Sequence, residues 1–338
     1  MSTYEVVKKL GLLFLPAALI GRVLVAPLAA QSAAPVRVVA ITFDDLPYVH
    51  AGEVGSQVSL AIAAEANRRI LSTLRHFHAP ATGFVIESRI RAIGPGAEQL
   101  LAGWNRDDYE LGIHSFSHAD ANTLDIAGFE QEIVQGEVTI GPMTQRSGRR
   151  LRFFRFPFNH LGDSAEKQTA IMSFLASRGY KIAASTIDTS DYVFDAAFER
   201  ALRERDNKMQ EQIKRSYLDH TKKQIAYYAA LNQQVLGFDP PAIMLLHLSR
   251  LNATTLASQL ALFRKSGYSF VSLATAQSHP VYAEPLRSVT RFGPMWGYRW
   301  ARDRHVRFDG SREEEAPDWV ADYGAGKSVV VPKKNQQR

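Results

Sequence analysis

Residues 37–47 read Arg-Val-Val-Ala-Ile-Thr-Phe-Asp-Asp-Leu-Pro. An apolar, β-branched run ends abruptly in two adjacent carboxylates, Asp44 and Asp45. The run is nearly continuous rather than alternating, which is the pattern of a parallel strand covered on both faces. Two carboxylates at the end of such a strand are costly to bury unless they are paired or hold a cation. Parallel α/β sheets and barrels build their sites at the carboxyl ends of their strands. This short stretch therefore points to an α/β fold and to a place in it where chemistry is done.

Similar runs recur at 82–86, 110–113, 151–156, 181–185, 242–247 and 268–273. Helical stretches separate them. Residues 58–76 carry Leu60, Ile62, Ala63, Ile70, Leu71 and Leu74 at helical spacing, and further helices are expected near 126–136, 164–178 and 253–266. Repeated strand-then-helix order implies a parallel sheet with helices outside, and seven strands favour a barrel-like closure over an open sheet. The connection at 195–237 is longer than an ordinary crossover. It is rich in charge and keeps apolar residues at Phe198, Leu202, Met209, Ile213, Tyr217, Ile225, Tyr228, Leu231 and Val235. One or two amphipathic helices ending at Gly237 are expected there, inserted before the sixth strand. After residue 273 the chain is rich in Pro, Gly and aromatic residues and is expected to wrap the domain. Residues 306–338 read as a flexible tail.

Composition excludes several classes. With 46% hydrophobic and 22% charged residues over 338 positions, the chain is neither disordered nor fibrous. It has no cysteine, so disulfides, iron–sulfur clusters and thiol nucleophiles are absent, and any metal site must be built from His, Asp and Glu. The net charge of +6 is small for this length and no Lys/Arg block is long enough to form a nucleic-acid surface. At the amino terminus, Lys8 and Lys9 precede an apolar run at 10–21, and Ala30 and Ser32 offer small residues for a cleavage site. This is the layout of a signal peptide over residues 1–32, with a retained anchor as the alternative. Pro16 and Arg22 speak against a span, because a central Arg is costly in lipid. Export to a bacterial periplasm or cell surface is expected, with membrane association only if the segment is retained. An exported chain without cysteine has no need of oxidative folding.

Chemistry-bearing residues follow several strands. The third strand ends in His114-Ser115-Phe116-Ser117-His118, whose two imidazoles can meet one ion if the segment makes a helical turn. One Asp plus two His makes a three-ligand divalent site with open positions for water and substrate. The fourth strand ends in Arg155-Phe156-Pro157-Phe158, the fifth is followed by Asp188-Thr189-Ser190-Asp191-Tyr192, and the sixth ends in Leu245-Leu246-His247.

The order Thr-Phe-Asp-Asp, His-Ser-x-x-His, Arg-x-Pro-Phe, Asp-x-x-Asp-Tyr and Leu-x-His resembles the motif series of the polysaccharide deacetylases, the carbohydrate esterase family 4 or NodB-homology domain, over roughly residues 37–275. The resemblance implies a distorted (β/α)7 barrel, with a catalytic domain over 36–303 that includes the helical insertion. It implies that Asp45, His114 and His118 bind a divalent metal, Zn2+ first, with Co2+, Ni2+ or Mn2+ as further options. It implies that Asp44 is the general base, held ionised by Arg155, and that His247 is the general acid, paired with Asp191. The backbone N–H of Phe158 would help stabilise the oxyanion, and Tyr192 and Leu245 would line the acetyl pocket. The implied substrate is an acetylated polysaccharide or oligosaccharide. Three positions depart from the family pattern: Leu46 replaces a common Gly, Phe158 a common Tyr, and Tyr192 a common Trp. Hydrolysis of a small non-sugar amide or imide, and a catalytically silent carbohydrate-binding protein, remain the alternatives.

Overall fold

The computed structural model describes residues 37–51 and 60–332. The expected segment at 1–32 lies outside the described residues. Among the described residues no helix is long and apolar enough to cross a membrane.

Seven strands form one parallel sheet: β1 (Arg37–Leu46), β2 (Ala81–Val85), β3 (Tyr109–Ile113), β4 (Phe153–Phe154), β5 (Lys181–Ile182), β6 (Ala242–His247) and β7 (Tyr268–Phe270). The helices that follow them are α1 (Leu60–Phe77), α2 (Glu87–Ile93), α3 (Ala97–Ala102), α4 (Ile126–Gln135), α5 (Ile140–Arg146), α6 (Ala165–Ser177), α7 (Asp191–Arg203), α8 (Asn207–Leu236), α9 (Arg250–Lys265), α10 (Leu273–Ala276), α11 (Trp296–Asp303) and α12 (Asp318–Gly324). Strand order is β5-β4-β3-β2-β1-β6, and β7 pairs with the first residues of β1. The chain leaving β5 then returns to β6. Ile187 bridges Met244, Thr186 N–H donates to Ile243 O at 2.9 Å, and Leu245 N–H donates to Ile187 O at 3.0 Å. The sheet thus curls round to meet itself through one short bridge, which is why the barrel is distorted. β4 and β5 are only two residues long.

β1 and β2 are buried almost throughout, as continuous apolar runs demand. Val39, Ile41, Phe43, Phe84, Ile113, Phe154, Met244 and Leu246 belong to one core. Trp104 is fully buried, and its indole N–H donates to Asn67 Oδ1 at 2.9 Å. Trp296 and Trp300 are also buried in the core.

The insertion before β6 is the helix pair α7 and α8. It begins at Asp191, four residues earlier than the sequence pattern indicates, and α8 stops at Gly237, whose φ of 83° suits a left-handed cap. The expectation of a flexible tail from residue 306 is corrected for 306–332. There Trp319, Val320 and Tyr323 of α12 are buried against Phe194, Phe198 and Tyr217 of the insertion. Arg200 Nη1 donates to Tyr323 O and to Lys327 O, both at 2.8 Å. The charged run that precedes α12 hides this apolar face in the sequence.

Candidate active site

Regular strand geometry would send Asp44 and Asp45 to opposite faces of the sheet. The ladder between β1 and β2 shifts register between Phe43 and Leu46, and Asp45 has a left-handed φ of 67°. Such an irregularity re-aims side chains at the end of a strand. Both carboxylates consequently line one cavity of about 470 Å³, together with His114, His118, Phe158, Tyr192, Leu245 and His247.

The Asp45, His114 and His118 ligand atoms lie within 4.8 Å of one another. Asp45 Oδ1 stands 3.6 Å from His114 Nε2 and 3.6 Å from His118 Nε2. The two imidazoles come together without the helical turn that would be one way to join them. Residues 114–118 form a loop in which Ser115 and His118 are left-handed, at φ 65° and 64°. Ser115 Oγ accepts the His118 N–H at 2.9 Å, and Glu132 Oε2 accepts those of Phe116 and Ser117 at 3.1 and 2.8 Å. His114 Nδ1 is 2.8 Å from Arg155 O, which leaves Nε2 for the cavity.

This set fits a divalent cation. Asp45 Oδ1 is buried without a hydrogen-bond partner among the described residues. Tetrahedral ligands about 2.1 Å from a first-row ion lie about 3.4 Å apart, close to the separations found. Burial, with His118 adding to it, holds the His114 ring well below its usual pKa, and burial lowers that of His118 as well. Both rings are therefore neutral and able to ligate. Burial opposes ionisation of Asp45. Arg89, with its Nη1 3.0 Å from Asp45 Oδ2, and then the protonated His247 outweigh burial and hold the carboxyl well below the usual range.

Asp44 lies beside this cluster. Arg155 Nη1 is 3.4 Å from Asp44 Oδ2, and Nη2 donates to Thr42 Oγ1 and Ala184 O, both at 3.1 Å. Burial lifts the Asp44 carboxyl to about 6, with Arg155 pulling against it. Asp44 Oδ1 is buried and has no partner among the described residues.

On the opposite flank, His247 Nδ1 is 2.7 Å from Asp191 Oδ1, and the His247 backbone N–H donates to Asp191 Oδ2 at 2.7 Å. Asn252 Nδ2 also donates to Asp191 Oδ2, at 2.5 Å. Burial disfavours the charged ring, but Asp191 and then Asp45 and Asp44 more than offset it and push His247 up to about 10. The Tyr192 ring is 6.4 Å from that of His247, and the Phe158 ring is 4.5 Å from that of His118. Phe158 and Tyr192 are 55% and 60% exposed, so both stand at the mouth of the cavity, whereas Leu245 is buried in its wall.

Sequence reasoning missed Arg89, Asn252, Gly293 and Met295. Arg89 sits mid-way along a short helix with no motif around it. Gly293 and Met295 line the cavity from the wrapping segment far down the chain. Asn252, three residues after the Ser249 cap of α9, carried a helix-start signal at most. Asp188 lines the cavity, accepts the Ser190 N–H at 2.9 Å and is lifted to about 6 by burial. His160 instead pairs with Asp120, at 2.8 Å.

Residues 31–177 match the family model described as polysaccharide deacetylase. That stretch, less than half of the chain, is similar to the polysaccharide deacetylases. The matched stretch carries Asp44, Asp45, His114, His118, Arg155 and Phe158 and ends before Asp191 and His247. Two curated proteins are similar to this chain. A "Probable peptidoglycan-N-acetylglucosamine deacetylase" of Arthroderma benhamiae is 26% identical over 157 residues, 46% of this chain and 30% of that protein. A "Chitin deacetylase" of Pestalotiopsis sp. is 26% identical over 156 residues, 46% of this chain and 44% of that protein. The chain thus spans less than half the length of the curated relatives it matches. Among solved structures, the polysaccharide deacetylase Bc1974 from Bacillus cereus is 19% identical, with a TM-score of 0.48, over 70% of this chain and 91% of that one. BA3943 of Bacillus anthracis, described as a CE4 family pseudoenzyme, is 15% identical, with a TM-score of 0.48, over 72% and 66%. The fold described above rests on this chain's own strand ladder.

Proposed function

We propose that this chain is an exported, divalent-metal-dependent hydrolase that removes N-acetyl groups, and less often O-acetyl groups, from a cell-wall or other polysaccharide. One observation carries the reading. Three ligand atoms, a carboxylate beside an arginine and an imidazole beside a carboxylate all converge on one cavity. The match of residues 31–177 to the polysaccharide deacetylase model supports the same chemistry.

Asp45, His114 and His118 would hold the ion, with Zn2+ the first candidate for a His2Asp set. Such an ion, when bound, polarises a carbonyl and lowers the pKa of water. Asp44, with a carboxyl near 6, is matched to taking a proton from the attacking water near neutral pH. Arg155 orients Asp44 and favours its ionised form. His247 has Nδ1 committed to Asp191, so Nε2 is the nitrogen left to protonate the leaving amine. Its raised pKa keeps that proton in place at neutral pH. The Phe158 N–H would donate to the carbonyl oxygen as negative charge develops there. Leu245 and Tyr192 would enclose the acetyl methyl, and acetate and a free amine would leave.

The test is acetate release by protein supplied with Zn2+ or Co2+. It uses N-acetylglucosamine oligomers, peptidoglycan, acetylated xylan and small non-sugar acetamides. Release from at least one acetylated saccharide is expected. Release from the acetamides alone would replace the substrate class, and no release from any would remove the proposal.

A further inference from the structure

We propose that Arg299 is a positioning residue that fixes the Phe158–Asn159 turn and, through it, the backbone donor at the reacting carbonyl. This rests on the deacetylase reading above. Arg299 lies on α11, beyond the matched family stretch and beyond the five motifs. Its side chain is 2% exposed, and it makes no ion pair among the described residues. A buried guanidinium in that state is costly unless its donors are satisfied by geometry that needs them there. Its Nη2 donates to Asn159 O at 2.6 Å and its Nε donates to Pro294 O at 3.2 Å. The guanidinium also lies 5.3 Å from the centroid of Trp296.

One planar group thus ties the turn after β4 to the 293–295 strap. The turn needs such a tie. Phe158 and Asn159 are both left-handed, at φ 57° and 54°, a backbone state that side chains other than glycine adopt rarely and keep only where surroundings enforce it. The strap is pressed onto it. A Cβ on Gly293 would stand 1.6 Å from Phe158 O and 3.0 Å from Asn159 Cβ. The far side is fixed too: Ser185 Oγ donates to Asn159 Oδ1 at 3.2 Å, and Trp296 N–H donates to Ser185 O at 2.8 Å. Arg299 closes this ring from inside. Arginine suits the task because its fork reaches two carbonyls at once.

Two variants approach the turn from different sides. Arg299→Gln removes the fork, and Gly293→Ala drives the strap off Phe158 O from a partly exposed loop. Three readouts are taken: steady-state kinetics on the best acetylated saccharide, bound metal per chain, and amide hydrogen exchange of residues 156–160. Both variants should lower kcat by about a hundredfold, the scale for misplacing a reacting group by an ångström. KM should change by less than about threefold, because only an interaction made in the transition state is lost. Metal content should match wild type, and exchange at 156–160 should rise. Wild-type kcat in both variants, a raised KM with unchanged kcat, or unmoved exchange would each overturn the proposal. If Arg299→Gln does not fold, Arg299→Lys, which keeps the charge but loses the fork to two carbonyls, takes its place with the same expected and overturning results. If wild type releases no acetate, the deacetylase reading fails while the exchange data still decide whether Arg299 braces the turn.

Discussion

Replacing Asp191 by Asn should pull the alkaline limb of the rate–pH profile downward by about 1–3 pH units, the usual influence of one opposite charge in contact. The carboxylate is 1% exposed, with one oxygen 2.7 Å from His247 Nδ1. Burial works against the charged ring, and the charge and hydrogen bond of Asp191 are the two largest influences that overcome it. Together with Asp45 and Asp44 they lift His247 from 6.5 to about 10. Without Asp191, burial faces only the two more weakly acting carboxylates, so the ring gives up its proton at lower pH. A cation held by Asp45 would lower the limb in both proteins, so the difference between them is the quantity to read. The effect on stability has its own sign. Because the folded pKa is raised, the pair stabilises fully below pH 6.5 and loses this contribution as pH rises through about 10. The gap in Tm between wild type and variant should therefore be widest in mild acid and narrow towards pH 10. Some loss persists throughout. Asp191 Oδ2 accepts from both the His247 N–H and Asn252, and an amide cannot accept on both its atoms. The assay is kcat/KM against pH, with bound metal measured alongside. If Asp191 only caps α7, Tm falls and the limb stays in place. An unmoved limb at normal metal content would mean that Asp191 does not hold the proton on His247.

Asp44→Asn and His247→Ala should each lower turnover by about a hundredfold or more while leaving metal content near wild type, as removal of a general base or acid does. Arg89→Ala should weaken metal affinity by about tenfold to a hundredfold by titration calorimetry, since Arg89 pairs with the Asp45 carboxylate that is proposed to hold the ion. Trp319→Ala should cost about 3–5 kcal/mol in denaturant unfolding, because its ring fills the space between α12 and the insertion. A loss below about 0.5 kcal/mol, the usual scale of a surface substitution, would mean that the last helix does not pack as described.

The parts of this molecule that the sequence displays are those governed by local pattern. Each of the seven strands falls within or beside its apolar run, because a strand covered on both faces needs continuous apolar residues. The shortness of β4 and β5 was not legible. It follows from curling and closure, which pair residues far apart in the chain, such as Ile187 with Met244. The clustering of Asp44, Asp45, His114, His118, Arg155, Asp191 and His247 was legible because all stand at or just after the carboxyl ends of strands. The backbone that aims them was not. Asp45, Ser115, His118 and Phe158 are left-handed without being glycine, and no residue-type rule announces that. Arg89, Gly293 and Arg299 were hidden for a related reason. They reach the site from a short helix and a late strap, and only the tertiary fold brings them there.

Asp45, His114 and His118 are proposed to hold an ion that deacetylation requires. The most direct measurement strips the protein with chelator, then titrates Zn2+ or Co2+ while following acetate release from an acetylated saccharide. Activity should be absent in the stripped protein and should rise to a plateau at one equivalent of ion, and Asp45→Ala should neither bind that equivalent nor release acetate. Full acetate release by metal-free protein, or by Asp45→Ala, would contradict the claim.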